Sequence, residues 1–259
     1  MTSNEYWQRN MKNTALLHQI LSHQNANSSV YSSVNAESLR TTACVFDLDS
    51  TLFNVAPRTE QILKEFGIAY GLDQFLKIKV NPKDWGLKEI LIREGLNLSD
   101  PGIKDLHHKL ISFWSDKFFS NEYLHYDTPH LGAVHFVQTL YKKNIDIHYL
   151  TGRDISRMGQ GTLQVLLKWG FPILSNSHLH LKPHKDMDDH KFKLDWVFNF
   201  KNKSKVFFFE NEPVNINAIG NAIKDLEIIY LNTTHSRKES IQVPVTEIEN
   251  FLINTEMVK

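Results

Sequence analysis

The sequence predicts an α/β protein in which a mostly parallel sheet carries helices on both faces. Two observations predict it. Short apolar runs recur along the chain, each ending in polar or acidic residues, and helix-patterned stretches separate them. A third observation shapes the domain plan: residues 54–127 contain helix signals but no buried-strand run.

The first element is an amphipathic helix from about Asn4 to Leu21, with Trp7, Met11, Leu17 and Leu21 at helical spacing and Thr2 with Glu5 as a capping box. Residues 23–41, rich in Ser, Asn and Gln, read as a loop, so 1–41 form an extension. The first strand is Ala43–Phe46, ending in Asp47-Leu48-Asp49-Ser50-Thr51. Helices follow from Pro57 to Phe66, closed by Gly67, and after Asp100-Pro101, where Ile103, Leu106, Leu110, Phe113 and Trp114 share a face. Placed directly after the first strand, the 54–127 segment would sit above that strand's end as a lid. The aromatic stretch Phe113–Phe119 reads as helix core rather than a substrate platform.

Beyond it, a helix is expected from Thr128-Pro129 to Lys143, then a strand Ile145–Leu150 ending in Thr151-Gly152-Arg153. A helix follows from about Gln160 to Trp169, stopped by Gly170, and another over Asp189–Phe200. The strand Lys205–Phe209 ends in Glu210-Asn211-Glu212, Pro213 opens a helix reaching Leu226, and Glu227–Leu231 is the last strand. Thr246 and Glu249 form a capping box for a short helix through Ile253. The core is thus 42–53 with 128–259.

With 259 residues, the chain can bury a substantial core. Lys+Arg and Asp+Glu both number 29, so net charge gives no global pull toward nucleic acid or an anionic membrane. Cys44 is the only cysteine and cannot form an intramolecular disulfide, which points to a reducing compartment and a buried structural thiol. No stretch has the length of a membrane span and the N-terminus lacks an apolar secretory core, so the expectation is a cytoplasmic protein. The thirteen histidines show no ligand spacing with a third partner.

Asp47 and Asp49 are the candidates for chemistry: alone, Asp-x-Asp could be a turn or half of a metal loop, and the apolar strand before it with Ser50-Thr51 after it favours a site. At a strand terminus, residues two apart project to the same side, so one carboxyl can attack a phosphorus while the other handles the leaving-group proton. Attack on an anionic ester needs a hard cation, and magnesium fits because it takes few carboxylates and keeps waters. Glu210 at the end of another strand offers a further ligand, Thr151 and Gly152 could hold phosphoryl oxygens, and a lysine could neutralise the rest.

These residues resemble a known family. FDLDSTLF is similar to the first motif, DxDx(T/V), of the haloacid-dehalogenase-like superfamily; HYLTGR resembles its second motif, and FFFENEP stands where its acidic fourth motif stands. The resemblance spans about Thr42–Leu231 and implies a Rossmann-like sheet with an inserted helical cap. It implies a phosphatase of this superfamily, with Asp47 forming an aspartyl-phosphate and Asp49 as acid/base with its main-chain carbonyl on Mg2+. Thr51 would support the loop, Thr151 would bind the phosphoryl group, and Glu210 and Asn211 would serve the metal. An aspartate at 49 argues against dehalogenation, since halide leaves without a proton.

The lysine of the third motif has two candidates. Lys193 opens a helix as in polynucleotide-kinase-type phosphatases and is favoured; Lys182, followed by Pro183, resembles the form in other branches. Glu210 replaces the usual aspartate. Arg153 reads equally as a substrate or cap contact and as a salt bridge. The expected partner is a small phosphorylated substrate, and the Lys193 analogy leaves a polynucleotide end open. A phosphotransferase and a phospho-ligand binder without turnover are the alternatives.

Overall fold

The computed structural model describes residues 3–30, 41–81, 84–97, 99–200, 204–254 and 256, with backbone alone for 3–7, 25–30, 41 and 204. The chain begins with α1 (Ser3–Val30), β1 (Thr41–Phe46) and β2 (Phe53–Asn54). A helical segment follows, with α2 (Ala56–Tyr70), α3 (Leu87–Arg93) and α4 (Pro101–Phe118), before β3 (Thr128–Pro129). Next come α5 (Ala133–Lys142), β4 (Asp146–Asp154), α6 (Ile155–Trp169), β5 (Ser177–Lys182) and α7 (Asp189–Phe200). The remaining elements are β6 (Ser204–Glu210), α8 (Pro213–Ala222), β7 (Glu227–Leu231) and β8 (Thr246–Ile248).

Six strands form a parallel sheet in the order β5-β4-β1-β6-β7-β8. From β1 the chain builds outward through β4 and β5, then returns to the other side of β1 for β6. Strand order therefore reverses around β1, and a crevice opens at the C-terminal ends of β4, β1 and β6. Alternation along the strands explains the two cores. Cys44, Phe46, Phe207 and Phe209 face one side, against Leu16, Leu17 and Ile20 of α1 and Phe136, Val137 and Leu140 of α5. Val45, Val206 and Phe208 face the other, against Val197 of α7 and Ile219 of α8. Burial holds the Cys44 thiol well above its ordinary range.

Several expectations change. α1 continues to Val30, beyond the expected end at Leu21, and residues 23–30 are helical rather than loop. Its buried stripe is Leu16, Leu17 and Ile20, whereas Met11 is exposed. Thr2, half of the expected capping box, and residues 31–40 lie outside the described residues. α2 passes through Gly67, where a Cβ would come within 2.9 Å of Leu72 O and Phe75 Cβ. That glycine admits the following 3-10 turn, and the helix stops at Gly71, whose φ of 65° is left-handed. Thr128-Pro129 pair antiparallel with Phe53-Asn54 instead of opening a helix; α5 starts after Gly132. α6 starts at Ile155, earlier than expected, because the Asp154 side chain caps it through Arg157 N at 3.0 Å. α8 ends at Ala222 rather than Leu226. Thr246–Ile248 join the sheet beside β7 rather than capping a helix, because an open strand edge offers that backbone its partners. The strand Ser177–Lys182 carries the alternating His178 and His180.

The segment between β2 and β3 has its own apolar cluster, including Leu63, Phe66, Phe75, Leu91 and Leu110. Among the described residues, no helix is long and apolar enough to cross a membrane.

Candidate active site

β1 delivers Asp47 to the crevice, its amide still laddered to Phe209 O at 3.0 Å. The chain then folds tightly on itself: Thr51 N and Phe53 N donate to Leu48 O, and Ser50 N donates to Phe53 O at 2.7 Å. Ser50 adopts a left-handed φ of 62° to make this turn. The turn stands Asp49 beside Asp47 at the floor of a cavity of about 670 Å³ between the sheet end and the helical segment.

Lys193, near the start of α7, joins two strand ends. Its Nζ donates to Asp47 Oδ1 at 2.6 Å and to Glu210 Oε2 at 2.7 Å. All three side chains are buried. Burial opposes the charge on Lys193, but the two carboxylates outweigh it and raise its pKa. Burial pushes Asp47 up to about 7, with Lys193 pulling it down and Glu210 adding to the rise. Asp47 Oδ2 accepts no hydrogen bond from any described residue.

Glu210 is more committed than its expected ligand role implies. Its Oε1 accepts from Asn211 N at 3.0 Å and Glu212 N at 3.1 Å, and its Oε2 accepts from Lys193 and from Asn215 Nδ2 at 3.2 Å. The amide groups are those freed just before α8, where carboxylate charge is favoured. Asn211 is similarly used: Oδ1 accepts from Thr51 Oγ1 at 3.0 Å and Nδ2 donates to Thr234 O at 2.7 Å. Thr51, which the resemblance gives as a support for the loop, is fully buried and braces the Asp47–Asp49 loop against Asn211.

Asp49 sits in a second charge network. Arg153, at the end of β4, donates Nε to Asp49 Oδ2 at 3.1 Å and Nη2 to Asp49 Oδ1 at 2.5 Å. Nη2 also donates to Asp127 Oδ2 at 2.7 Å. Arg58 of α2 donates Nη2 to Asp49 Oδ1 at 2.8 Å and Nη1 to Phe118 O at 2.9 Å. Arg58 Nε lies 2.9 Å from Asp127 Oδ1 in an ion pair that is not aligned as a hydrogen bond. Burial alone would raise Asp49, but Arg153 and Arg58 hold it well below the carboxylate range. Burial raises Asp127 despite both arginines. Arg153 is thus the salt-bridging residue, buried rather than on an open loop.

Sequence reasoning passed over Arg58, Asp127 and Asn215. Arg58 carried one faint signal: a cation in the first turn of a helix, against the dipole, wants an anionic partner. Asp127 carried none. The Phe113–Phe119 stretch packs in the helical segment, yet Trp114, Phe118 and Phe119 also line the cavity, so it is not core alone.

Thr151 and Gly152 line the cavity. A Cβ at Gly152 would meet Asp189 Oδ2 at 2.6 Å, so the glycine seats that carboxylate. Lys182 is not a cavity residue: its Nζ donates to Asp189 Oδ1 and to Lys185 O at 3.2 Å. The structure brings Lys193, not Lys182, to Asp47.

Among the described residues no group of three Asp, Glu, His or Cys side chains is arranged to hold a metal by itself. The donor set nevertheless suits an ion that keeps most of its water. Asp47 Oδ2 is available, while Asp49 and Glu210 commit their carboxylates elsewhere, which leaves Asp49 its main-chain carbonyl.

No protein-family model and no curated protein matches the sequence. Solved structures do. A haloacid dehalogenase-like hydrolase from Burkholderia xenovorans LB400 is 13% identical, with a TM-score of 0.51 over 85% of this chain and 98% of its own. A HAD-superfamily hydrolase, subfamily IA, variant 1, from Geobacter sulfurreducens PCA is 12% identical, with a TM-score of 0.51 over 85% and 97%. Strand order, reversal at β1 and these likenesses agree: the chain has the haloacid-dehalogenase-like fold.

Proposed function

We propose that the protein is a magnesium-dependent phosphatase that hydrolyses a phosphate monoester through an aspartyl-phosphate on Asp47. The observation that carries this reading is the convergence of Asp47 and Asp49 after β1, Lys193 of α7 and Glu210 of β6 onto one cavity, with Asp47 Oδ2 accepting no hydrogen bond from any described residue.

In the first step, an Asp47 carboxylate oxygen forms a bond to phosphorus, the ester P–O bond breaks, and the leaving oxygen takes a proton from the Asp49 carboxyl. The approaching phosphate dianion raises the proton affinity of Asp49 and opposes the two arginines that otherwise keep it ionised. In the second, Asp49 as carboxylate removes a proton from water, the water oxygen bonds to phosphorus, and the P–O bond to Asp47 breaks. Lys193 holds one Asp47 oxygen and aims the other. Thr151 and the Gly152 amide would hold phosphoryl oxygens from the wall of the cavity. A bound Mg2+, held by Asp47 with waters steadied from the Glu210–Asn211 side, would supply the positive charge that lets a carboxylate approach the phosphoryl group. The helical segment covers the cavity as a cap and would exclude bulk water.

Release of inorganic phosphate from 4-nitrophenyl phosphate with and without Mg2+ tests this. Turnover should require the metal and vanish in Asp47→Asn. Activity that survives the substitution refutes the covalent mechanism.

A further inference from the structure

The cavity above Asp47 is divided in character. Its floor is charged, whereas the wall supplied by the helical segment is mainly apolar and aromatic, with Trp85, Ile90, Ile111, Trp114, Phe118 and Phe119 beside the polar Thr59, Asp84, Lys88 and His107. Two of these, Trp85 and Ile111, are 47% and 43% exposed although the segment has cores of its own. They face the cavity because the segment's own packing does not use them.

The charges lining the same cavity discriminate among anionic substrates. Asp84, Asp189 and Glu212 join Asp47, Asp49 and Glu210, against the basic groups Lys88, Arg153 and Lys193 among the described residues. Arg153 and Lys193 are each already paired with two carboxylates. Lys88 alone is outside these networks, and it is exposed. Arg58 and Arg153 already balance Asp49 and Asp127, Arg93 pairs with Asp84 and Lys182 with Asp189, so a second phosphate or carboxylate on the substrate would find no unpaired buried cation among the described residues.

Resting on the phosphatase reading above, we propose that the substrate is a monophosphate ester of an uncharged, mainly apolar alcohol bearing an aromatic ring. The phosphate reaches Asp47 while the ring lies against Trp114, Phe118 and Trp85. A cavity of about 670 Å³ accommodates a ligand well beyond phosphate in size. Flat rings gain from the stacked and edge-on partners that Trp114, Phe118 and Phe119 already form with one another. Bisphosphates and polynucleotide ends need a second, unpaired cation, which the described lining does not offer, and a sugar would leave the apolar faces of Trp85, Ile111 and Trp114 without a partner.

The test has a kinetic and a binding arm. With Mg2+, kcat/KM should be at least about 100-fold higher for 2-naphthyl phosphate than for glycerol phosphate, glucose 6-phosphate or a nucleoside bisphosphate, in line with what a hydrophobic pocket can discriminate. Trp85→Ala and Ile111→Lys, both at exposed positions, should narrow that ratio at least about tenfold. In Asp47→Asn, 2-naphthyl phosphate should quench tryptophan fluorescence saturably, and glucose 6-phosphate should not compete. Equal or better use of the sugar phosphates or the bisphosphate overturns the inference but leaves the phosphatase reading standing. Loss of all turnover together with intact naphthyl phosphate binding refutes the phosphatase reading and retains the pocket. Absence of both turnover and saturable binding overturns both.

Discussion

Arg58→Met is the most informative single change, because Arg58 is a fully buried cation that sequence reasoning overlooked. Arg58, Arg153, Asp49 and Asp127 form a neutral group of two cations and two anions. Methionine keeps the stem and its packing on Phe118, whose ring centroid lies 3.9 Å from the guanidinium carbon. It leaves Asp127, fully buried, sharing Arg153 with Asp49. Burial already raises Asp127 with both arginines present, so the variant should fold with a proton on that carboxyl. Protonating at pH 7 a group whose unfolded pKa is about 3.9 costs about 4 kcal/mol, at 1.36 kcal/mol per unit. Breaking a buried pair by removing one partner gives a similar figure of about 3–5 kcal/mol. The sign is fixed: a carboxyl raised in the folded state is favourable at low pH and loses that advantage as pH rises through its folded value. The destabilisation should therefore shrink to about 1.5 kcal/mol at pH 5. Urea unfolding followed by tryptophan fluorescence at both pH values measures it, and Arg58→Met/Asp127→Asn should recover most of the loss. A pH-independent change below about 1 kcal/mol, with no recovery in the double variant, would show that these charges are not thermodynamically buried together.

Three further outcomes are expected. Lys193→Met should lower kcat by about 100- to 1,000-fold, whereas Lys182→Met should stay within about tenfold, since only Lys193 touches Asp47; steady-state kinetics decides. With Asp47 at about 7, metal binding displaces a proton below that pH, so Mg2+ affinity should rise about tenfold per unit up to pH 7 and level off above; titration calorimetry in buffers of different ionisation heat counts the proton. His148, buried beside His180 at 2.9 Å, is pushed down to about 3 by burial and its histidine neighbours. Unfolding then takes up a proton between about pH 6.5 and 3, and stability falls as pH drops through that window by about 1.4 kcal/mol per unit; His148→Phe should flatten the slope in urea titrations.

Local physics wrote much of this fold into the chain. Strands beside Asp47, Thr151 and Glu210 were legible because each is a short apolar run with a polar stop, and Lys193 because it opens the helix before β6. Boundaries went wrong where a distant segment decided them. Thr128-Pro129 is a strand because Phe53-Asn54 lies opposite, α2 runs through Gly67 because a later turn needs the space, and Thr246–Ile248 is a strand because β7 has an open edge.

What the sequence by itself determined is the order of the candidate site residues along the chain and the strand ends that carry them, since a short apolar run with a polar stop marks each strand end. What only the tertiary structure decided is how the charges divide: Lys193 to Asp47 and Glu210, both arginines to Asp49 and Asp127, and Lys182 to Asp189. An ion pair depends on distance and desolvation between residues far apart in the chain, and neither quantity is encoded in linear spacing.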